Sequence, residues 1–346
     1  MLSPDQIRQY TSIREGSALI DRYHRGRVVL RGSDRQSFLQ ALLTNDIAAL
    51  KPGSGCYAAL LTPLGRMVTD MNVFETGPAT LLDVPFILKD TLVARLDQMI
   101  FTEDVQVGDL TDALGCVSVQ GPAAALAVGQ ALLAGEPGGG SFNLIADLAN
   151  WSAFQNSQVE LDDEVGILAR VDEFGLPGFL IFAPPGRMPA LAAAISAAGA
   201  IVPDAAVLET LRIESGTPLF QVDMTDDTIP LEAGIEARAI SSTKGCYPGQ
   251  EVIVRIRDRG HGKIVRKLVG LTLDGDVEPL PGDKLMVDAK DVGHVTSAAY
   301  SPTLGRPIAL GYVHRDHVAP GSRLAVAHGD SRLAATVTAL PFVSVS

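Results

Sequence analysis

Hydrophobic positions along the chain repeat with two different periods, and segments of the two kinds alternate. In residues 32–46, Phe38 and Leu42 fall on one helical face behind Ser33 and Gln36, which have the spacing of a capping box. Four further segments carry a helical pattern: residues 86–100, 121–133, 186–199 and 204–214. Short β-branched runs lie between them, so the pattern predicts a protein of mixed helices and strands.

Residues 57–74 have the pattern of two strands joined by a Thr-Pro-Leu-Gly turn. Alternation along the second strand puts Asp70 and Asn72 on one face, with Met67 and Met71 on the other. We therefore expect one polar and one apolar face on this strand.

Beyond Gly262 the chain consists of short strands separated by glycine, proline and aspartate. Their spacing predicts a C-terminal β-barrel of about 80 residues. The glycine-rich segment 134–141 is predicted to be a loop. We expect two domains, residues 1–258 and residues 263–346, and the first of them is long enough to contain two subdomains.

Composition excludes several classes of protein. The 346 residues are 47% hydrophobic and 20% charged, which is typical of a globular chain. A net charge of −12 argues against nonspecific binding to nucleic acid or to anionic membranes. The longest apolar run, residues 190–202, is too short to span a bilayer, and the polar N-terminus is unlike a secretory signal. We expect a soluble, cytoplasmic monomer.

The cysteine and histidine content predicts neither disulfides nor a metal site. Cys56, Cys116 and Cys246 are far apart and odd in number. His314 and His317 have HxxH spacing, but no third ligand is evident in the sequence.

The stretch TKGCYPGQEV, residues 243–252, places Cys246 on a basic turn that is rich in glycine. The β-branched residues after it favour a strand, whereas Pro248, Glu251 and a terminating Gly260 favour a helix. We predict the helix because the capping signals at both ends agree.

In that helix, Cys246 would lie just ahead of the first turn and beside Lys244. Exposed amide groups and an ammonium both favour the thiolate over the thiol, which suits a reactive or metal-ligating sulfur. The alternative is a small hydrophobic side chain buried on a turn. The residues alone leave both possibilities open.

The segment KGCYPGQEVIVRIRDRGH resembles the Lys-Gly-Cys-Tyr-x-Gly-Gln-Glu signature of the YgfZ-type folate-binding proteins. These belong to the superfamily of the glycine-cleavage T-protein, an aminomethyltransferase. Four more segments are similar to elements of that superfamily and follow in the same order: GSDRQSFLQALLTNDIAAL, LETLRIESGTPLF, IPLEAGI and PIALGYVH. The resemblance covers nearly the whole chain and is weakest across residues 110–200.

This resemblance implies an α+β, GcvT-like fold whose subdomains surround a central pocket, followed by the barrel. It implies binding of tetrahydrofolate or a one-carbon-substituted form of it. The YgfZ-type family is linked to the maturation or repair of iron–sulfur enzymes, including a radical enzyme that thiolates tRNA. Iron–sulfur enzymes or their assembly factors are therefore expected as transient partners, without direct binding to nucleic acid or membrane.

The resemblance also assigns site residues. Asp70 matches a T-protein acid that contacts folate and assists methylene transfer, so it is predicted to be catalytic together with Cys246. Arg212 matches an arginine near the glutamate tail of folate. Where T-proteins have a pterin-binding glutamate, this chain offers Leu180, which opposes the aminomethyltransferase assignment.

Residues of two motifs complete the predicted site. Asn45, which stands between Thr44 and Asp46 at a helix end, is expected to shape the pocket. Lys244 and Tyr247 are expected to contact folate. Three arginines after the cysteine could hold an anionic tail or a partner, or could lie on a solvated basic face: Arg255, Arg257 and Arg259.

Two functions follow from these assignments. The leading hypothesis is a tetrahydrofolate-binding accessory protein for iron–sulfur proteins, with Cys246 as the functional thiol. The alternative is a folate-dependent aminomethyltransferase or demethylase that transfers a one-carbon unit. Asp70 favours the alternative, because YgfZ-type proteins lack an acid at its position.

Overall fold

The computed structural model describes residues 1–133, 141–161, 163–259 and 264–344. The strands are β1 (Ala18–Asp21), β2 (Arg25–Arg31), β3 (Ser54–Leu61), β4 (Met67–Glu75), β5 (Thr80–Pro85), β6 (Gln106–Asp109), β7 (Gly115–Gln120), β8 (Asn156–Leu161), β9 (Glu164–Arg170), β10 (Gly178–Ala183), β11 (Arg266–Leu273), β12 (Lys284–Val287), β13 (Lys290–Ser301), β14 (Arg306–His314), β15 (Arg323–His328) and β16 (Ser331–Thr338).

The helices are α1 (Pro4–Glu15), α2 (Arg35–Leu42), α3 (Lys89–Gln98), α4 (Ala124–Leu133), α5 (Ser141–Ala149), α6 (Met188–Ala197), α7 (Ala205–Ser215), α8 (Pro230–Ala233), α9 (Glu236–Ala239) and α10 (Gln250–Val254). None of the helices in the described ranges is long and apolar enough to cross a membrane.

Two antiparallel sheets form the first part of the molecule. Sheet I has the order β3-β4-β5-β2-β6, and sheet II has the order β1-β7-β10-β9-β8. Phe74 and Leu81 of sheet I pack against Leu180 and Phe182 of sheet II, and the ring centroids of Phe74 and Phe182 are 5.8 Å apart. The contact between the two sheets is therefore apolar.

Helices cover the outer face of each sheet. Phe38 of α2 and Leu92 of α3 are buried against sheet I. Val128 of α4 and Ile195 of α6 are buried against sheet II. This gives four layers, helix-sheet-sheet-helix, and the predicted α+β fold class is confirmed. Residues 216–259 pack on the end of sheet I, where Met67 contacts Met224 and Ile253.

The last six strands close into a barrel in the order β11-β14-β13-β12-β15-β16. Aliphatic side chains such as Leu271, Leu285, Val295 and Val326 fill its interior. Closure pairs every strand on both sides, which removes exposed edges. The predicted C-terminal barrel is confirmed.

The structure also confirms four helices predicted from hydrophobic period alone: α3, α4, α6 and α7. The helix predicted after Cys246 forms as well, as α10 followed by a π-helical turn over Arg255–Arg259. Its predicted terminator, Gly260, lies outside the described residues. Most of the predicted loop over 134–141 also lies outside them.

The predicted capping box at Ser33 is wrong. Its hydroxyl donates 2.9 Å to the carboxylate of Asp104, which is 71 positions away. Asp34 is the residue that precedes α2, and its side chain makes no capping hydrogen bond. The Ser33 side chain therefore makes a tertiary hydrogen bond and does not cap the helix, as the local pattern had predicted.

The predicted orientation of Met67 is also wrong, while that of Asp70 and Met71 is right. A β-bulge at the start of β4 inserts one residue, so that Leu60 pairs with Thr69 but Leu61 pairs with Met67. The insertion rotates Met67 to the opposite face, where it packs with residues 216–259.

Candidate functional site

A cavity of about 480 Å³ opens where the two sheets meet α7, and this volume is typical of small-molecule sites. We call it the Asp70 cavity. Sheet I contributes Tyr57, Asp70 and Asn72 to its lining. The other walls come from the β1–β2 segment, the β9–β10 connection and α7, and they include Arg22, Arg25, Phe174, Glu209 and Arg212.

Asp70 is a buried carboxylate with one free oxygen. The Tyr57 hydroxyl donates to its Oδ2 at 2.6 Å. Burial and the neighbouring carboxylate raise the pKa of Tyr57 well above its usual value, so the phenol keeps its proton and remains a donor. Oδ1 of Asp70 has no hydrogen-bond partner among the described residues. This oxygen can accept one hydrogen bond from a bound molecule.

Arg238 and Asn45 fix the position of Tyr57. The guanidinium of Arg238 lies over the Tyr57 ring, 4.4 Å from its centroid. The Asn45 amide donates to the carbonyl oxygens of Tyr57 at 2.8 Å and of Arg238 at 3.0 Å. The Thr44 hydroxyl donates to the carbonyl of Ala239 at 2.6 Å. Asn45 thus lies behind the cavity wall and holds two of the residues that form it.

A buried charge network lies beside Asp70. The Asp83 carboxylate is fully buried and accepts hydrogen bonds from the Arg25 guanidinium at 3.1 and 3.0 Å and from the Asn72 amide at 2.9 Å. Burial alone would raise the pKa of Asp83, but Arg25 and Arg22 hold it below its usual range. Arg22 also pairs with Glu173 at 2.8 Å. The carboxylates of Asp83 and Glu173 therefore balance the positive charges of Arg22 and Arg25 in this wall of the cavity.

His24 is the histidine nearest to this network, and it is neutral at physiological pH. Burial, followed by the positive charges of Arg22 and Arg25, lowers the pKa of His24 to about 4. Its ring therefore carries no charge at pH 7, and the charge of the cavity comes from arginines and carboxylates.

Arg212 lines the Asp70 cavity, but its five N–H donors are all used inside the protein. They bond to Glu209, to Asp223 at 2.6 Å, to Ser297 at 2.7 Å and to the carbonyl of Thr217. The predicted contact between Arg212 and a folate carboxylate stays a prediction, and it would require one of these bonds to be exchanged.

Cys246 is exposed and is not among the residues that line the Asp70 cavity. Lys244 is buried, and its ammonium donates to the carbonyl oxygens of Gln40 at 2.6 Å and of Asn45 at 3.1 Å, at the end of α2. It also donates to the carbonyl oxygen of Leu43. Burial lowers the pKa of Lys244 to about 8. The lysine satisfies the last carbonyls of a helix, so its predicted effect on the Cys246 thiol stays a prediction.

The remaining sequence-predicted residues lie outside the cavity. Tyr247 is buried in the cluster around Tyr57, with the Lys244 ammonium 5.2 Å from its ring centroid. Leu180 is buried between the two sheets. Arg255 and Arg257 are exposed. The described residues contain no group of three or more histidine, cysteine, aspartate or glutamate side chains that could hold a metal ion.

The structure thus brings Asp70 and Arg212 together in one cavity and leaves out the other predicted residues: Asn45, Lys244, Tyr247 and Cys246. Sequence reasoning missed Tyr57 and the cluster of arginines and acids that supports Asp70. One signal was present, because the segment RYHRGR places three arginines in six residues at the start of a strand.

Two family models match the chain. The GCVT N-terminal domain matches residues 3–244, and the glycine cleavage T-protein C-terminal barrel domain matches residues 266–344. The chain belongs to the glycine cleavage T-protein family. The matches support this family as a whole and do not single out the YgfZ type.

Known members of the T-protein family agree with this assignment. An aminomethyltransferase of Rubrobacter xylanophilus is 31% identical over 305 residues, which cover 88% of this chain and 78% of the relative. An aminomethyltransferase of a Nostoc species is 30% identical over 345 residues, covering 97% and 87%. The crystal structure of the glycine cleavage system aminomethyltransferase T from Bartonella henselae superposes on this chain with a TM-score of 0.85 and 24% sequence identity. The match covers 97% of this chain and 89% of the Bartonella chain, which shows a shared T-protein fold.

Proposed function

We propose that this protein transfers the methylene carbon of an aminomethyl group to tetrahydrofolate bound in the Asp70 cavity. Two bonds form from this carbon to nitrogen atoms of tetrahydrofolate, while its bonds to the amine and to the carrier break, which releases ammonia and the protonated carrier. This is the alternative predicted from the sequence, and membership in a family whose similar relatives are aminomethyltransferases supports it. Tetrahydrofolate is the cofactor that this family uses, which agrees with the sequence-based expectation. The observation that carries the proposal is the buried Oδ1 of Asp70, an unpartnered acceptor in a cavity of ligand size.

The residues present fit such a ligand. A pteridine ring carries several N–H donors, and Asp70 offers a fixed acceptor whose other oxygen is held by Tyr57. The aromatic rings of Tyr57, Phe154 and Phe174 supply apolar walls for a planar ring. Tetrahydrofolate supplies the nitrogen atoms that accept the one-carbon unit. The protein's part is to orient them and to accept or return a proton at Oδ1 of Asp70.

The test is turnover of an aminomethyl donor, whose carbon already has the oxidation level of the product, with tetrahydrofolate, measured as methylene-tetrahydrofolate formed. Asp70→Asn keeps the shape of the side chain and replaces one acceptor oxygen by a donor, so turnover is expected to fall by about 100-fold or more. The matched control is Asp172→Asn. Asp172 also lines the cavity, but its carboxylate is already paired with Arg170 at 2.6 Å. Equal turnover in the Asp70 variant and the wild type would refute the proposal.

A second candidate function rests on the surface position of Cys246. An exposed thiol outside the cavity is accessible to a protein partner, as an accessory role in iron–sulfur protein maturation would require. In that role, Cys246→Ala would abolish rescue of iron–sulfur enzyme activity in cells that lack the protein, while folate affinity stays at the wild-type level. Full rescue by the variant would exclude this role for the cysteine.

A further inference from the structure

Arg22 lines the Asp70 cavity with a guanidinium that uses only part of its hydrogen-bonding capacity. Its Nη1 donates to the Glu173 carboxylate at 3.0 Å. Its buried Nε has no hydrogen-bond partner among the described residues. Its Nη2 lies 3.6 Å from Oδ2 of Asp83, which is an ion-pair distance and too long for a hydrogen bond. The edge of the guanidinium formed by Nε and Nη2 therefore carries N–H donors that the described residues leave unpaired.

Two other arginines that line the cavity have no such free edge. Arg25 directs the same edge at the Asp83 carboxylate, to which its Nε donates at 3.1 Å and its Nη2 at 3.0 Å. Arg212 uses all its donors inside the protein. Arg22 is only 5% exposed, so its unpaired Nε is costly in the free protein. An acceptor on a bound molecule would remove that cost.

The acceptor that fits the free edge of Arg22 is neutral. The positive charge of Arg22 is already balanced by Glu173 and Asp83. A carboxylate bound at this edge would place a further negative charge beside those two acids, which would repel it. A carbonyl oxygen brings no net charge, and its two lone pairs can accept from both N–H groups.

The free edge of Arg22 also lies within reach of a ligand that contacts Asp70. The Asp83 oxygen that is 3.6 Å from Arg22 accepts from the Asn72 amide at 2.9 Å. Asn72 and Asp70 are two positions apart on one face of β4, which corresponds to about 7 Å along a strand. Two hydrogen bonds of about 2.9 Å, with the edge of a ring between them, can span such a gap. A ring that carries a carbonyl beside an N–H group would thus satisfy Arg22 and Oδ1 of Asp70 together.

We propose that Arg22 recognises the 4-oxo group of the pteridine, to which its Nε–H and Nη2–H groups donate, while Oδ1 of Asp70 accepts from the neighbouring N5–H. This inference rests on the proposed function, because it takes tetrahydrofolate as the molecule in the Asp70 cavity. It adds that Arg22 sets the specificity for 4-oxo pteridines. In a 4-amino analogue, an amino group that donates would face the two donors of Arg22.

The experiment compares the binding of tetrahydrofolate and of its 4-amino analogue, tetrahydroaminopterin, by titration calorimetry under anaerobic conditions. A hydrogen bond from a charged donor is worth about tenfold to a hundredfold in affinity, so the wild type is expected to bind tetrahydrofolate at least about tenfold more tightly. Arg22→Lys keeps a positive charge beside Glu173 but lacks the edge with two donors. The ratio of the two affinities should therefore fall by about tenfold in this variant.

The matched control is Arg35→Lys. Arg35 also has a buried Nε without a partner among the described residues and pairs with a carboxylate, Glu75 at 2.7 Å, but it does not line the cavity. Its variant should keep the wild-type ratio of affinities.

Equal affinity of the wild type for the two ligands would overturn the inference and leave the proposed function standing. The same holds if Arg22→Lys and Arg35→Lys have the same ratio. The wild-type comparison needs no variant, so it stays decisive if Arg22→Lys folds poorly. If neither ligand binds, the proposed function itself fails.

Discussion

The strongest stability prediction concerns Asp83, the carboxylate that compensates the arginines beside the Asp70 cavity. It is fully buried, within hydrogen-bonding distance of Arg25 and Asn72, and 3.6 Å from Arg22. Asp83→Asn removes the negative charge at constant volume. It leaves two buried guanidinium groups without their central counterion.

Loss of one partner from a buried ion pair costs about 3–5 kcal/mol, because the remaining charge stays desolvated. With a urea dependence of about 3 kcal/mol per molar, the unfolding midpoint is expected to fall by roughly 1–1.7 M. The control is Asp227→Asn. Asp227 pairs with Arg66, but its side chain is 77% exposed, so this change should cost less than about 1 kcal/mol.

The pH dependence gives an independent check. The folded-state pKa of Asp83 is depressed, so its contribution to stability is complete above its unfolded pKa of about 4 and is lost as the pH falls through the folded value. Unfolding free energy measured from pH 7 downward should therefore decline less steeply in Asp83→Asn than in the wild type. A midpoint shift no larger than that of Asp227→Asn, with an unchanged pH profile, would refute the reasoning.

Two further predictions concern the thiols and the Asp70 site. The native protein should have one rapidly alkylated cysteine, Cys246, because burial raises the pKa of Cys56 to about 12 and that of the buried Cys116 still further. Mass spectrometry after brief labelling should find one modified thiol when folded and three in denaturant, and fast labelling of Cys116 in the native state would contradict this. Tyr57→Phe should lower turnover by about tenfold and the unfolding free energy by about 1–3 kcal/mol, since it leaves both oxygens of the buried Asp70 carboxylate without a hydrogen bond. Unchanged turnover would mean that the phenol does not position the carboxylate.

Elements with a long, regular hydrophobic pattern could be predicted from the sequence. The helices α3 and α7 and the barrel strands follow directly from period and turn residues. The errors at Ser33 and Met67 have tertiary causes. The serine bonds to a residue 71 positions away, and the bulge in β4 depends on its pairing with β3. Neither cause leaves a local signal.

In the candidate site, too, the residue with a local signal could be predicted, and its tertiary partners could not. Alternation and family resemblance pointed to Asp70, and the bulge lies before it in β4, so its face was predicted correctly. The partnership of Asp70 with Tyr57 arises because β3 pairs with β4, and Asp83 reaches Asn72 because β5 pairs with β4. Such partners become visible only when the strand register is known.

The hydrogen bonds between α7 and the barrel restrict how a ligand can enter the Asp70 cavity. Arg212 bonds to Ser297 of β13, and Glu214 on the same helix accepts from Ser301 of the same strand. Swinging the barrel aside would break all of these sheltered polar bonds at once. Tyr23 also lines the Asp70 cavity and is 78% exposed, so a ligand that enters past this side chain leaves those bonds intact.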